Sequence, residues 1–279
     1  MRIALLASGS SGNALLISSG SATILVDAGI PAKRVLAALG NGAGAGRLDA
    51  VLVTHEHTDH VSGLPAITRH FSVPVLATAG THAAVRTRVA ASSDRVLVEP
   101  GREVEIGDLS VVPFATSHDG AEPVGFTIAD GTSRIAIATD LGVVGRSVRH
   151  HLAAAHCVVL EFNHDERMLV DGPYPWPLKQ RIMSNVGHLS NGAAARELES
   201  FADAPVSAIV LAHLSRENND PTLAFDTASE ALERVGRSDV RVFVAGEHGL
   251  KDSLEIAGTG VRGLRDEPEG VTAGCSESR

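Results

Sequence analysis

The segment Ala50-Val51-Leu52-Val53-Thr54-His55-Glu56-His57-Thr58-Asp59-His60 runs from an uninterrupted apolar stretch straight into three histidines and an aspartate. A short apolar run of this kind reads as a buried strand. Carried to the strand tip, His55 and His57 lie two apart and project to one side. The chain must then turn, which presents Asp59 and His60 from a second direction. Neutral imidazoles and a carboxylate are suitable ligands for zinc, iron or manganese. Four of them within six residues exceed what one ion takes from so short a segment, so two ions are expected. A solvated turn that is merely rich in histidine is the competing reading, and two other strand ends weigh against it. Ile135–Thr139 finishes on Asp140, and Ile209–Ala212 finishes on His213. Side chains at the tips of buried strands share a rigid base and can converge in one cleft.

Upstream, Ile3–Leu6, Ala14–Ser18 and Ala22–Asp27 are β-rich runs separated by Gly/Ser turns, expected as consecutive antiparallel strands. A helix is expected after Pro31, fading in Gly40–Gly46. Downstream, helix signals recur around Ser62–His70, Thr81–Val89, Val148–Ala155, Gly192–Phe201 and Leu223–Val235. Strand signals lie at Val73–Ala77, Val96–Val98, Leu109–Val112, Val124–Ala129, Ile135–Ala138, Cys157–Phe162, Ala208–Leu211 and Val240–Val244. The stretch Pro173–Pro177 is expected to be irregular. Two strand-rich halves with helices between and after them indicate an α/β fold of sheets covered by helices, not an all-parallel sheet. No fixed-period repeat and no long linker divides the chain, so residues 1–257 are expected to form a single domain. Residues 258–279 are rich in Gly, Ser and Glu without periodicity and are expected to be a flexible tail. Its removal after Gly258 should then leave stability and activity nearly unchanged.

The 279 residues are 44% hydrophobic but only 3% aromatic, so Ala, Val, Leu and Ile must fill the core. The balance of 24 Lys+Arg against 33 Asp+Glu gives a formal charge of −9. That excludes a generally cationic nucleic-acid coat and disfavours an anionic membrane surface. Bound cations stand outside this formal charge, so a phosphate-bearing substrate is still admitted. Two cysteines, Cys157 and Cys275, cannot build a disulfide framework, which suits a reducing cytosol. No stretch approaches the ~18 apolar residues of a membrane span, and the start is too short for a signal peptide. A cytoplasmic protein without a membrane partner is expected.

Thr54–His60 resembles the His-x-His-x-Asp-His signature of the metallo-β-lactamase-fold hydrolases, and Leu25–Gly29, His118, Asp140 and His213 stand in that family's order. Finer strings are similar to its YycJ (WalJ/VicX) branch. They are Ser8-Gly9-Ser10-Ser11-Gly12-Asn13, Thr116–Asp119, Pro123–Phe126, Leu160–Asp165, Gly172-Pro173-Tyr174-Pro175, Gly187–Asn191 and Leu214–Asn219, spread over about residues 1–250. The resemblance implies a four-layer αββα sandwich with a two-metal cleft at one edge. It implies that His55, His57 and His118 hold one divalent ion and Asp59, His60 and His213 a second. Asp140 bridges them, and Asp59 belongs also to the catalytic apparatus. Zinc leads among the candidate ions, with manganese and iron fitting the same donors. The implied activity is a metal-dependent hydrolase acting as a phosphodiesterase on nucleic acid, in the manner of a single-strand 5′-to-3′ exonuclease. The alternatives are a small-molecule phosphodiesterase, a thioester hydrolase, or a metal-loaded regulatory module with little turnover. DNA against RNA, polarity and oligomeric state stay open.

Spacing narrows this further. His118 and Asp140 are 22 residues apart, leaving no room for the long arm of some tRNA-processing relatives. Asp140 and His213 are 73 apart, too few for the inserted domain of the β-CASP nucleases. By likeness to the tRNA-processing relatives, Glu161 and His188 form a proton-delivery pair, although Leu189 stands between His188 and Ser190 here. Ser190 is a plausible N-cap of the helix from Asn191, placing a phosphate-friendly helix end beside the donor. Asp27 and Asp119 are expected to orient ligand histidines, against a reading as turn or cap aspartates. His164 is weighed equally as catalytic or structural. Lys179, Arg181 and Arg216 are candidates for flanking phosphates, against ordinary surface charge. Tyr174 and Trp176, the single Tyr and Trp, are read either as base-stacking or as packing against the prolines. His70, His82, His150, His151 and His156 are expected at the surface or in packing, and His248 has no assigned role.

Overall fold

Most central strands of this chain are apolar on both faces because each sheet is covered on both sides. The computed structural model describes residues 1–43 and 46–264. Arg2–Ala7 (β1), Ala14–Ser18 (β2) and Thr23–Val26 (β3) form the expected antiparallel meander. Ala50–Leu52 (β4), Val75–Ala77 (β5) and Arg95–Leu97 (β6) extend it in parallel. A second sheet opens with Val104–Ile106 (β7), Leu109–Ala115 (β8), Val124–Ala129 (β9) and Arg134–Ala138 (β10), all antiparallel neighbours. It continues in parallel through Cys157–Glu161 (β11), Ala208–Ala212 (β12) and Arg241–Val244 (β13). Ser253–Ala257 (β14) then returns to pair with β1, and Gly260–Leu264 (β15) pairs with β14.

Successive side chains point to opposite faces, and the burial follows that period. Ile24 and Val26, Ala50 and Leu52, Ile135 and Ile137, and Cys157 and Val159 meet between the sheets. Their neighbours Leu25 and Val51 face Ala32–Ala38 (α1), Thr58–Val61 (α2) and Leu64–Phe71 (α3) through Val35, Val61, Leu64 and Ile67. Ala79–Ala84 (α4) follows β5. On the far side Ala136, Val158 and Ile209 face Arg146–Ala153 (α5) through Val148 and Leu152. Two short helices, Glu166–Asp171 (α6) and Trp176–Ile182 (α7), precede Asn191–Leu198 (α8) and Pro221–Arg234 (α9), and the last two complete that layer. The result is the expected αββα sandwich, with a low-aromatic core.

Two expectations are corrected. Pro173–Pro177 does not stay irregular, because α7 starts at Trp176 with Pro175 as its N-cap residue and Pro177 in its first turn. Those positions need no backbone N–H partner, so proline starts the helix instead of blocking it. The boundary at 258 also shifts: β15 extends the sheet beyond it, with Gly258 at φ 57° turning the hairpin. Residues 265–279, the rest of the expected tail, lie outside the described residues. Among the described residues no helix is long and apolar enough to cross a membrane.

Candidate metal centre

Parallel register brings the functional strand ends level. Val26 pairs with Leu52, so Asp27 and Thr54 leave their strands together. Ala138 pairs with Leu160, which pairs with Leu211, so Asp140, Glu161 and His213 emerge at one edge of the second sheet. Asp27, Asp140 and His213 have φ of 60°, 57° and 57°, a left-handed turn that L residues adopt at a cost of about 1–3 kcal/mol. Such strain is held where the surroundings over-determine it, and here it swings each side chain out of its strand.

Three imidazoles converge first. His55 Nε2 is 3.0 Å from His57 Nδ1, and His118 Nε2 is 3.3 Å from the same atom. Tetrahedral ligands held ~2.0–2.1 Å from one ion lie ~3.3–3.4 Å apart, which matches this set. Neutral ring nitrogens facing each other cannot all be donors and acceptors, whereas one cation satisfies the three. The second set is Asp59, His60 and His213, with Asp59 Oδ2 at 3.5 and 3.6 Å from the two Nε2 atoms. Asp140 stands between the sets. Its Oδ1 lies 3.8 Å from His118 and 3.5 Å from His213, and its Oδ2 lies 3.2 Å from His60. Asp140 Oδ2 and His213 Nε2 are buried without a hydrogen-bond partner, the His60 contact being close enough for an ion pair but not aligned as a hydrogen bond. Orphaned atoms of this kind need an explanation, and a cation site supplies one.

The ionisation of the cluster agrees. Burial holds the His55 imidazole well below its ordinary range, so it is neutral and free to ligate. Burial alone would raise Asp140, but the neighbouring His213 and His60 outweigh it and hold the carboxyl well below the usual range. His213 moves the other way: burial opposes its protonation, yet Asp140 and the carboxylate hydrogen bonds lift it to about 10. The buried carboxylates thus make a pocket that draws positive charge.

Hydrogen bonds fix the rings. Asp27 Oδ2 bonds His60 Nδ1 at 2.7 Å, while both its oxygens accept from the Thr54 hydroxyl. The Gly187 carbonyl takes His118 Nδ1 at 3.1 Å. These bonds leave the Nε2 atoms of His60 and His118 for the cluster, as ligand histidines require. Asp119 Oδ1 approaches His118 and His57 at 3.4 and 3.7 Å, and its Oδ2 pairs with Arg181 at 2.6 Å. Glu56 turns away from the cluster and accepts from the Ala121 N–H.

Glu161 is fully buried and has four donors or ring partners. Oε1 bonds His188 Nδ1 at 2.8 Å and His213 Nδ1 at 2.9 Å, while Oε2 accepts from the Leu141 and Leu189 N–H groups. Burial opposes its ionisation, but His188 and the hydrogen bonds lower it to about 2. His188 lines a cavity of about 230 Å³ together with His118, Tyr174, Arg181 and Ser215. Trp176 does not line it and is 55% exposed.

The remaining sequence candidates sit elsewhere. Lys179 is buried and donates to the carbonyls of Val170 and Gly172 at the end of α6, so its ammonium is turned away from the cavity. Ser190 is the N-cap of α8, accepting from Ala193 N–H, but its hydroxyl also donates to Glu166. The chain's own carboxylate therefore stands at the helix end expected for phosphate. Arg216 is exposed and 3.5 Å from Glu247. His164 is buried outside the ligand sets, its carbonyl accepting from Asn191 and its Nδ1 without a partner. His248 is exposed. Sequence reasoning assigned no role to Asn13, whose amide reaches Asp59 Oδ2 and His60 Nε2, or to Ser8, whose hydroxyl accepts from the His213 N–H. Both lie in the Ser8–Asn13 string, so the string was visible but its contact 46 residues away was not.

Residues 22–214 match the family described as beta-lactamase superfamily domain. The chain is 35% identical over 239 residues to exodeoxyribonuclease YycJ of Bacillus anthracis, covering 85% of this chain and 90% of that one. It is 33% identical over 236 residues to exodeoxyribonuclease WalJ of Streptococcus pneumoniae, covering 83% and 88%. Among solved structures, the metallo-beta-lactamase fold protein YhfI from Bacillus subtilis superposes with a TM-score of 0.71 at 16% identity, over 91% of this chain and 99% of that one. This last likeness is one of fold.

Proposed function

We propose, because this chain belongs to the metallo-β-lactamase superfamily and to its YycJ/WalJ-like branch, that it is a two-metal hydrolase cutting phosphodiester bonds in single-stranded nucleic acid from the 5′ end. His55, His57 and His118 would hold one ion, Asp59, His60 and His213 the other, and Asp140 both. The imidazole-rich donor set favours zinc, with manganese and iron as alternatives. Two divalent ions, when bound, supply a nucleophile at neutral pH and charge stabilisation for entering and leaving oxygens.

The chain's own residues do the rest. Asp27 and the Gly187 carbonyl aim His60 and His118. Glu161 accepts from His188 Nδ1, which raises the imidazole's affinity for a proton despite its burial. His188, facing the cavity, is thus placed to give that proton to the departing alkoxide. The observation that carries the reading is this pairing of the buried Glu161 with His188 at the cavity wall, directly beside the two donor sets, since a proton donor and a metal-activated nucleophile together suit hydrolysis of an unactivated ester. The Arg181–Asp119 pair lies at the cavity wall, where an incoming phosphate can compete for the guanidinium. A cytoplasmic setting suits the reduced thiol of Cys157.

The test is a panel of 5′-labelled and 3′-labelled single strands, a bis-aryl phosphodiester and a thioester, each with and without chelator. Chelator-sensitive release of mononucleotides from the 5′ end is expected. Turnover confined to the thioester would overturn the nuclease reading and favour a thioester hydrolase on the same centre.

A further inference from the structure

A second cavity of about 280 Å³ lies against the first. Ser10 and Ser215 line both, so the two side chains form the ridge between them. The cavities differ in chemistry. The first contains His118 and His188, whereas none of the clustered histidines or carboxylates lines the second. Leu214, Pro221 and Ala245 give the second an apolar part of its wall, and the serines of the 8–11 loop line it as well. Its charged groups, Arg216 and Glu247, face each other at 3.5 Å, so its rim is close to neutral. This is a poor seat for a bare phosphate and a good one for a sugar and base, which offer an apolar face together with hydroxyl and amino groups.

Position follows from the proton donor. His188 belongs to the first cavity, so the leaving alcohol must lie there. The ester arm that stays on phosphorus diverges from the leaving oxygen, and the space across the Ser10–Ser215 ridge is the second cavity. We propose that this cavity seats the nucleoside retained on the scissile phosphate, the first unit of the shortened strand. The inference rests on the phosphodiesterase reading and adds to it a residue set that selects nucleotide over simple phosphodiesters.

Gly246 allows a direct test. It lines the cavity, its φ is not in the left-handed region, and a Cβ there meets nothing nearer than the Gly249 carbonyl at 4.0 Å. Gly246→Leu therefore puts a large side chain at the cavity wall without backbone strain. Two esters with the same leaving group, thymidine 5′-(4-nitrophenyl phosphate) and methyl 4-nitrophenyl phosphate, differ only in the retained arm. The wild-type protein should prefer the nucleoside ester in kcat/KM. In Gly246→Leu that preference should fall roughly tenfold or more, through the KM of the nucleoside ester, as expected when a pocket changes by a few methylenes. Gly246→Ala, which leaves the cavity open, should keep the preference. An equal loss on both esters, or an unchanged preference in Gly246→Leu, overturns the assignment. A wild-type protein that hydrolyses both esters equally also overturns it while leaving the phosphodiesterase reading in place. Turnover of neither ester, nor of any single strand, removes that reading and the inference with it.

Discussion

Asp140 faces both donor sets with one carboxylate, His60 on one oxygen and His118 and His213 on the other. Asp140→Ala should therefore lower metal content at both positions and abolish turnover. Elemental analysis showing two ions retained would remove Asp140 from the bridging role. His188 and Glu161 separate in a different way. His188→Ala should keep both ions and lose about 10²–10⁴-fold in kcat on an oligonucleotide, with a much smaller loss on a nitrophenyl ester that leaves without a proton. Glu161→Gln should be the more damaging change for metal binding, because Glu161 also bonds the ring of His213. Equal metal content in the two variants would show that the His213 contact is dispensable. Cys157, whose thiol burial pushes up to about 12, should resist alkylation in the native protein and react only in denaturant, as mapped by mass spectrometry. At this scale the sequence was most legible where ligands are close together, as in His55–His60. Asn13, Ser8 and the second duty of Glu161 were hidden, because each acts through contacts made only when distant strand ends come level.

The hairpin of β14 and β15 reverses an expectation about elements. Cutting after Gly258 removes a strand whose partners run from Ser253↔Leu264 to Ala257↔Gly260, and with it the bond from Arg241 Nη1 to the Val261 carbonyl. The melting temperature should fall, and the exposed β14 edge should promote self-association. An unchanged melting curve would mean that the pairing contributes nothing to stability. Strand 260–264 escaped detection because Gly260 and Gly263 break its alternation. Lys179 belongs here too. Its ammonium closes α6 on two carbonyls, so Lys179→Met should cost about 1–3 kcal/mol by stranding buried acceptors, read by urea denaturation. The helix that carries Lys179 was missed for a plain reason: prolines at 175 and 177 look like breakers until their place in the first turn is known.

Across the whole molecule, three apolar layers hold two sheets and two sets of helices in register. The architecture was legible because the apolar runs, three to six residues long, fall in two strand-rich halves with helix signals between and after them, and three of the runs lead straight into ligand residues. What the runs could not reveal is which ends would be neighbours, since that depends on pairing register. The donor sets follow the same division. His55, His57, Asp59 and His60 come from the first sheet, and His118, Asp140 and His213 from the second. Each proposed ion therefore has ligands from both. Any fluctuation that parts the sheets at this edge dismantles both sets at once. Conditions that open the sandwich should therefore release both ions together, and loss of metal becomes a reporter of that opening.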